Sequence, residues 1–156
     1  MRRLTRLAWV YTEAPVYFIT AVTHQRRRIL ASHVAHEAFR KFCIAAREHG
    51  VLVGRYVLMP DHLHAFVCIP PGALGLSEWL KSMKNAMSKC WRSYGIAAPH
   101  WQKGFFDHLL RSDDSHAEKW KYVRENPVRA GLCNAAEEWP YAGQIMPDAN
   151  AFGGEL

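Results

Sequence analysis

The segment VLVGRYVLMPDHLHAFVCI, residues 51–69, constrains the fold of this chain more than any other stretch. It holds two apolar, β-branched runs of strand length, 51–59 and 62–69, joined at Met59-Pro60-Asp61. Proline fixes φ and aspartate favours turns, so the runs read as two strands of an antiparallel hairpin. Strands this apolar are buried on at least one face. Yet the second strand opens on His62 and His64, and side chains alternate along a strand, so both imidazoles project the same way. Two neutral imidazoles can converge on one ion as a partial site that needs further ligands from elsewhere. The competing reading is a pair of hydrogen-bonded histidines on a half-exposed face. A water-activating dinuclear centre lacks its usual parts: Phe66 and Val67 stand where an Asp and a further His commonly follow, and H-E-x-x-H is absent.

The flanking segments supply the remaining elements. Residues 15–24, PVYFITAVTH, are rich in β-branched and aromatic residues and read as a strand. Residues 32–50 carry Val34, Ala35, Ala38, Phe39 and Phe42 at helical spacing and end in glycine, which predicts a helix. After the PPGALG loop, Ser77 is the expected cap of a second helix with Trp79, Leu80, Met83, Met87 and Cys90 on its apolar side. Residues 105–112, FFDHLLRS, form a fourth strand candidate. A third helix follows, capped by Asp113 or Asp114 and stopped at Pro127. The order strand, helix, strand, strand, helix, strand is that of a split βαβ, ferredoxin-like domain, α+β in class, with an extra helix after it. One domain over 1–156 is expected, with 144–156 as a flexible tail.

Charge and cysteine content narrow the partners and the compartment. Lys plus Arg exceed Asp plus Glu by 20 to 14, a net charge of +6. The excess is compatible with an anionic partner. It is concentrated in QRRR, residues 25–28, and in the second helix, where Lys81, Lys84, Lys89 and Arg92 share one side with Glu78 as the only acid. That side reads either as a solvated surface or as an anion-binding one. The four cysteines, Cys43, Cys68, Cys90 and Cys133, form no C-x-x-C pair and read as thiols in a reducing cytoplasm. No apolar run approaches the length of a membrane span, and no signal-type apolar core follows the basic start.

Tyr122 and Asn126 lie four apart, one helical turn. Tyrosine can form covalent intermediates once activated, and an amide oxygen is a hard ligand able to complete a two-histidine site. A core tyrosine near a helix-ending asparagine is the competing reading.

The runs YVLMPDHLHAFVCIP, WQKGFFDHLLRS, KYVRENPVRAGL and EEWPY, in that order over nearly the whole chain, resemble the REP-associated tyrosine transposases, relatives of the single-tyrosine insertion-sequence transposases within the HUH single-strand endonucleases. The resemblance implies His62 and His64 as metal ligands, Tyr122 as nucleophile and Asn126 as third ligand. It departs after WPY, where the family often has two serines and this chain has Ala142-Gly143.

The resemblance further implies cleavage and strand transfer on single-stranded DNA through a 5′-phosphotyrosine, at hairpins of repetitive extragenic palindromes, with magnesium or manganese, as monomer or homodimer. Imidazole ligands suit manganese better than magnesium. Arg26, Arg27, Lys81, Lys84, Lys89, Arg92, Lys103 and Arg124 are the expected DNA contacts. Trp91, Tyr94, Trp101 and Phe106 are candidate base-stacking platforms, and His108 a candidate general base. Two alternatives stand beside this expectation: a catalytically idle nucleic-acid-binding protein on the same fold, and a small metal hydrolase using Asp61 or Asp107.

Overall fold

Five antiparallel strands, β1 (Val16–Val22), β2 (Leu52–Leu58), β3 (His62–Cys68), β4 (Phe106–Leu110) and β5 (Ala142–Gln144), build one sheet in the order β4-β1-β3-β2-β5. They are seen in a computed structural model that describes residues 15–110 and 116–146. The described α-helices are α1 (His33–Ala45), α2 (Leu76–Ser93), α3 (His116–Arg124) and α4 (Asn126–Arg129). The first four strands have the ferredoxin-like order, and the fold is α+β as the segment order predicts.

The strand period sorts the side chains onto two faces. Ile19, Ala21, Leu63, Ala65 and Val67 point to the side covered by α1 and α2, where they meet Phe39, Cys43, Trp79, Leu80, Met83, Met87 and Trp91. Val16, Phe18, Phe66 and Cys68 point to the other side, where Val123 and Trp120 of α3, Leu132 and Trp139 close over them. In β2 the pairing shifts by one residue between Val53 and Tyr56. This bulge lets Tyr56 rejoin the α1 side, while Val57 and Leu52 serve the α3 side. Each large apolar side chain so buried contributes about 1.5–3 kcal/mol.

The helix boundaries are set by capping and by what each end packs on. Ser32 caps α1 by accepting from the Ala35 N–H at 3.1 Å. The helix ends at Ala45, earlier than its sequence pattern predicts, and a 3-10 turn (Ala46–His49) runs on to Gly50 in left-handed geometry. The expected cap at Ser77 is not formed. α2 begins at Leu76 behind Gly75, because Leu76 already packs against the core. Trp91, not Cys90, completes the buried stripe of α2. Pro127 does not simply stop the third helix: the chain bends at Glu125 and Pro127 opens α4. The expected caps Asp113 and Asp114 lie outside the described residues.

β5 was not legible as a strand. Its Gly143 faces Tyr56 across the pair, and a Cβ there would come within 2.8 Å of the Tyr56 hydroxyl. That hydroxyl is fully buried and bonded to His36 Nε2 at 2.7 Å and Arg40 Nη1 at 2.8 Å. A side chain at Gly143 would push into this network. The chain stays bonded to the sheet beyond Gln144, since Ile145 and Met146 N–H donate to Gly54 and Val53 carbonyls. Residues 144–146 of the expected tail are thus bonded to the sheet, and 147–156 lie outside the described residues. Cys43 and Cys68 are buried, Cys90 and Cys133 half-buried, and all four are free thiols. No helix among the described residues is long and apolar enough to cross a membrane.

Candidate active site

The hairpin places His62 and His64 at the open end of β3, on the α3 face. Their rings meet edge to face with centroids 4.9 Å apart. Each is held through Nδ1: His62 by Asp61 Oδ1 at 2.8 Å, His64 by Thr20 Oγ1 at 2.8 Å. Nε2 is the nitrogen each ring can then offer to a ligand, an arrangement that fixes ring orientation. Phe18 stacks on His64 at 5.1 Å. Burial pushes the His64 imidazole down to about 4, with His62 and Lys119 adding to the effect, so this ring is neutral at neutral pH. Burial opposes the charge on Asp61, but hydrogen bonds from His62 and Arg26 outweigh it and hold the carboxyl below its ordinary range.

Arg26 anchors this arrangement. It lies in a 3-10 turn (His24–Arg26), where Gln25 and Arg26 have positive φ of 50° and 54°. The turn is tied down by Thr23 N–H on the Asp61 carbonyl and Leu30 N–H on the Pro60 carbonyl, each 3.0 Å. So placed, Arg26 pairs with Asp61 Oδ2 at 3.3 Å. The chain Arg26–Asp61–His62 occupies Asp61 as an orienting group. Asp107, the other acid considered for a hydrolase, sits opposite Ile19 and so projects to the α1–α2 side. Among the described residues no group of three His, Cys, Asp or Glu is placed to hold a metal ion.

α3 packs over the same face with His116 against Phe66 at 4.0 Å and Trp120 at 6.4 Å. Lys119 Nζ lies 4.6 Å from the Phe18 ring centre, which brings a cation beside the histidine pair. Neither its residue type nor its spacing marked Lys119 in the sequence. Tyr122, one turn further on, is 67% exposed, with Arg129 Cζ 3.9 Å over its ring. Asn126 begins the next helix, and its Oδ1 accepts from Arg129 Nη2. The two residues are thus split between α3 and α4 and share Arg129. Among the described residues no hydrogen bond, ion pair or ring contact joins either of them to His62 or His64.

The expected DNA contacts fall into two groups. Several cations are engaged within the protein. Lys84 Nζ donates to the Gln102 carbonyl at 3.1 Å and to the Gly104 carbonyl, and burial lowers its pKa. Arg27 donates to the Pro99 carbonyl at 2.8 Å, and Arg124 pairs with Glu137. Lys81, Lys89, Arg92 and Lys103 stand exposed. Of the candidate platforms, Trp91 is core beside Trp101, Trp101 is half-buried with its indole N–H on the Lys84 carbonyl, and Tyr94 and Phe106 are exposed. His108 is exposed on β4 opposite Phe18.

Comparison with known proteins identifies the family and the fold. Residues 13–126 match the family model described as Transposase IS200 like. An Escherichia coli K12 protein named REP-associated tyrosine transposase is 23% identical over 133 residues, covering 85% of this chain and 78% of its own length. A Haemophilus influenzae relative is 24% identical over 149 residues, covering 85% of this chain and 81% of its own. A solved structure of a REP-associated tyrosine transposase bound to a REP hairpin superposes with a TM-score of 0.66 at 19% identity, covering 92% of each chain, which shows a shared fold. The family match spans the strand hairpin, both histidines, the tyrosine and the asparagine, so the chain belongs to the IS200-like transposases, a family of DNA-cleaving enzymes.

Proposed function

We propose that the chain is a metal-dependent single-stranded DNA endonuclease and strand transferase acting at hairpins of repetitive extragenic palindromes through a covalent 5′-phosphotyrosine. The observation that carries this reading is the His62–His64 pair, with both Nδ1 atoms held and a helix bearing Tyr122 packed on the same face.

The donor set fits a divalent ion of the manganese or magnesium class. His62 and His64 would supply two Nε2 ligands, and Asn126 a third through Oδ1 once Arg129 releases it. A bound ion would polarise the scissile phosphate and offset charge developing on its oxygens. The protein's own groups do the rest. Asp61 and Thr20 keep both imidazoles oriented, and the low pKa of His64 keeps that ring unprotonated. Tyr122 Oη attacks the phosphorus in line. A P–Oη bond forms, the P–O3′ bond breaks, the phenolic proton passes to water and the departing 3′ oxygen takes one up. The reverse step, attack by a 3′-hydroxyl on the phosphotyrosine, restores Tyr122 and joins strands without an external energy source. Unpaired substrate suits a site flanked by cations and an exposed aromatic ring.

The test is a labelled hairpin oligonucleotide with single-stranded flanks, incubated with protein and manganese or magnesium and then denatured. A covalent protein–DNA band that disappears in Tyr122→Phe is the expected result. Cleavage with no band indicates a hydrolase, and binding with no cleavage indicates an idle binder. Adduct formation by the Tyr122→Phe protein would assign the nucleophile to another tyrosine, such as Tyr94 or Tyr141.

A further inference from the structure

β4 is an edge strand whose residues are almost all exposed, and Phe106 keeps 63% of its surface open. Its direction matters more than its exposure. Phe106 lies opposite Thr20 in the β1–β4 pair, and Thr20 lies opposite His64 in the β1–β3 pair. Directly opposed residues project from one face of a sheet. The 2.8 Å contact between Thr20 Oγ1 and His64 Nδ1 identifies that face as the one carrying the histidine pair. Phe106, Thr20 and His64 therefore form one row across the sheet. At about 4.8 Å per strand, Phe106 stands roughly 10 Å from His64.

Two lysines stand near that row in space or in the chain. Lys119 reaches from α3 to the Phe18 ring, beside the row, and exposed Lys103 precedes β4. The other exposed aromatic candidate, Tyr94, follows α2 on the opposite side of the sheet. The conformation before Phe106 is also fixed from within: Lys84 holds the Gln102 and Gly104 carbonyls, so the ring is presented from a pinned segment.

We infer that Phe106 is a stacking platform for an unpaired nucleobase of the strand that crosses the His62–His64 pair, one or two nucleotides from the scissile phosphate. The inference rests on the function proposed above and adds a subsite to it. A base in a duplex has both faces covered by its neighbours, whereas a base beside a cut in single-stranded DNA has a face to offer. A phenyl ring accepts that face whatever the base, so the subsite selects for unpaired DNA without reading sequence.

Binding is measured in the Tyr122→Phe background, with a hairpin oligonucleotide carrying single-stranded flanks and with the same oligonucleotide made abasic at successive flank positions. Phe106→Ala should weaken binding of the intact oligonucleotide by roughly 5- to 150-fold, and Phe106→Trp should retain it. One abasic position should impose the same loss on the Phe106 protein and none on the Ala variant. Thermal melts establish that both variants are folded. Equal affinity for the Phe106 and Ala proteins, or equal abasic penalties at every position, overturns the platform. So does a smaller assembly for Phe106→Ala at unchanged DNA affinity, which would assign the open β4 edge to pairing with a second copy. Adduct formation by the Tyr122 protein is scored in parallel. Its absence refutes the cleavage chemistry while the abasic cycle still decides the platform; its presence without abasic coupling refutes the platform alone.

Discussion

Arg129 holds the ring of Tyr122 and the amide of Asn126 at once, with Cζ 3.9 Å over the ring and Nη2 donating to Asn126 Oδ1. One guanidinium thus restrains the residue read as nucleophile and the residue read as third ligand. Tyr122 and Asn126 are on different helices, and Arg129 is what couples them.

Arg129→Ala should separate the two effects. Freeing Asn126 Oδ1 should lower the metal concentration needed for half-maximal adduct formation. Losing the cation over the ring should lower the rate at saturating metal by about 2- to 5-fold, the equivalent of the ~0.5–1 kcal/mol of an exposed cation–π contact. Single-turnover adduct assays across a manganese titration read both quantities. A variant that changes neither shows that Arg129 is only part of the α4 surface.

Metal dependence should follow the imidazole pair. His62→Ala and His64→Ala should each suppress cleavage, whereas Asn126→Ala should be partly rescued by high manganese, since two ligands remain. Asp61→Asn keeps the shape but weakens the bond to His62 Nδ1, and a loss of roughly 10- to 100-fold is expected for such an orienting partner. Full activity of the unsubstituted protein in a chelator would remove the metal from the mechanism.

The cations of α2 should divide by their packing. Lys84→Gln should lower the melting temperature, because it strips the Gln102 and Gly104 carbonyls of their donor, and should leave the salt dependence of DNA binding unchanged. Replacing exposed Lys81 and Arg92 by Gln should instead reduce the log–log salt slope by roughly 0.7 to 0.9 for each phosphate that is no longer neutralised. The weakening should be similar across DNA sequences, since phosphate-binding cations position the duplex without reading bases. Affinities at several salt concentrations, paired with melts, distinguish a solvated face from a DNA-binding one.

Acid should weaken the fold through the half-buried histidines of the α3 face. Burial, then Arg55, lowers His116 to about 4, and His64 is lowered to about 4 as well. Between pH 6.5 and about 4 the unfolded chain takes up protons that the folded chain refuses, so stability falls as pH drops through that window. His116→Phe should flatten this dependence, since it keeps a ring against Phe66 and removes the titrating group. Urea midpoints at pH 7 and pH 5 for the two proteins measure it. A midpoint difference equal in both would assign the acid sensitivity to other groups.

Much of the site was readable because it depends on short-range periods. Alternation alone puts His62 and His64 on one face with Leu63 on the other, and the structure has Leu63 buried among the helices and the histidines on the α3 side. The α2 stripe followed from helical spacing in the same way, with one substitution of Trp91 for Cys90. Less was legible where a residue's role depends on a distant partner. β5 is three residues long and carries no strand signal. It exists because Tyr56 and Val57 present an open edge to Gly143 and Ala142.

The sequence by itself determined the order of the first four strands and first three helices, the shared direction of the two imidazoles and the family to which the chain belongs, because these reside in local periodicity and in motifs read along the chain. Only the tertiary structure decided which basic residues are spent on carbonyls and which face outward, that Lys119 reaches the histidine face, and that Arg129 bridges Tyr122 and Asn126 across a helix break. It alone put Phe106 in one row with Thr20 and His64, 44 residues apart in the case of the last two. The reason is physical: a lysine or an aromatic ring carries the same local signal wherever it stands, and its partner is fixed only when strands distant in sequence pair in register.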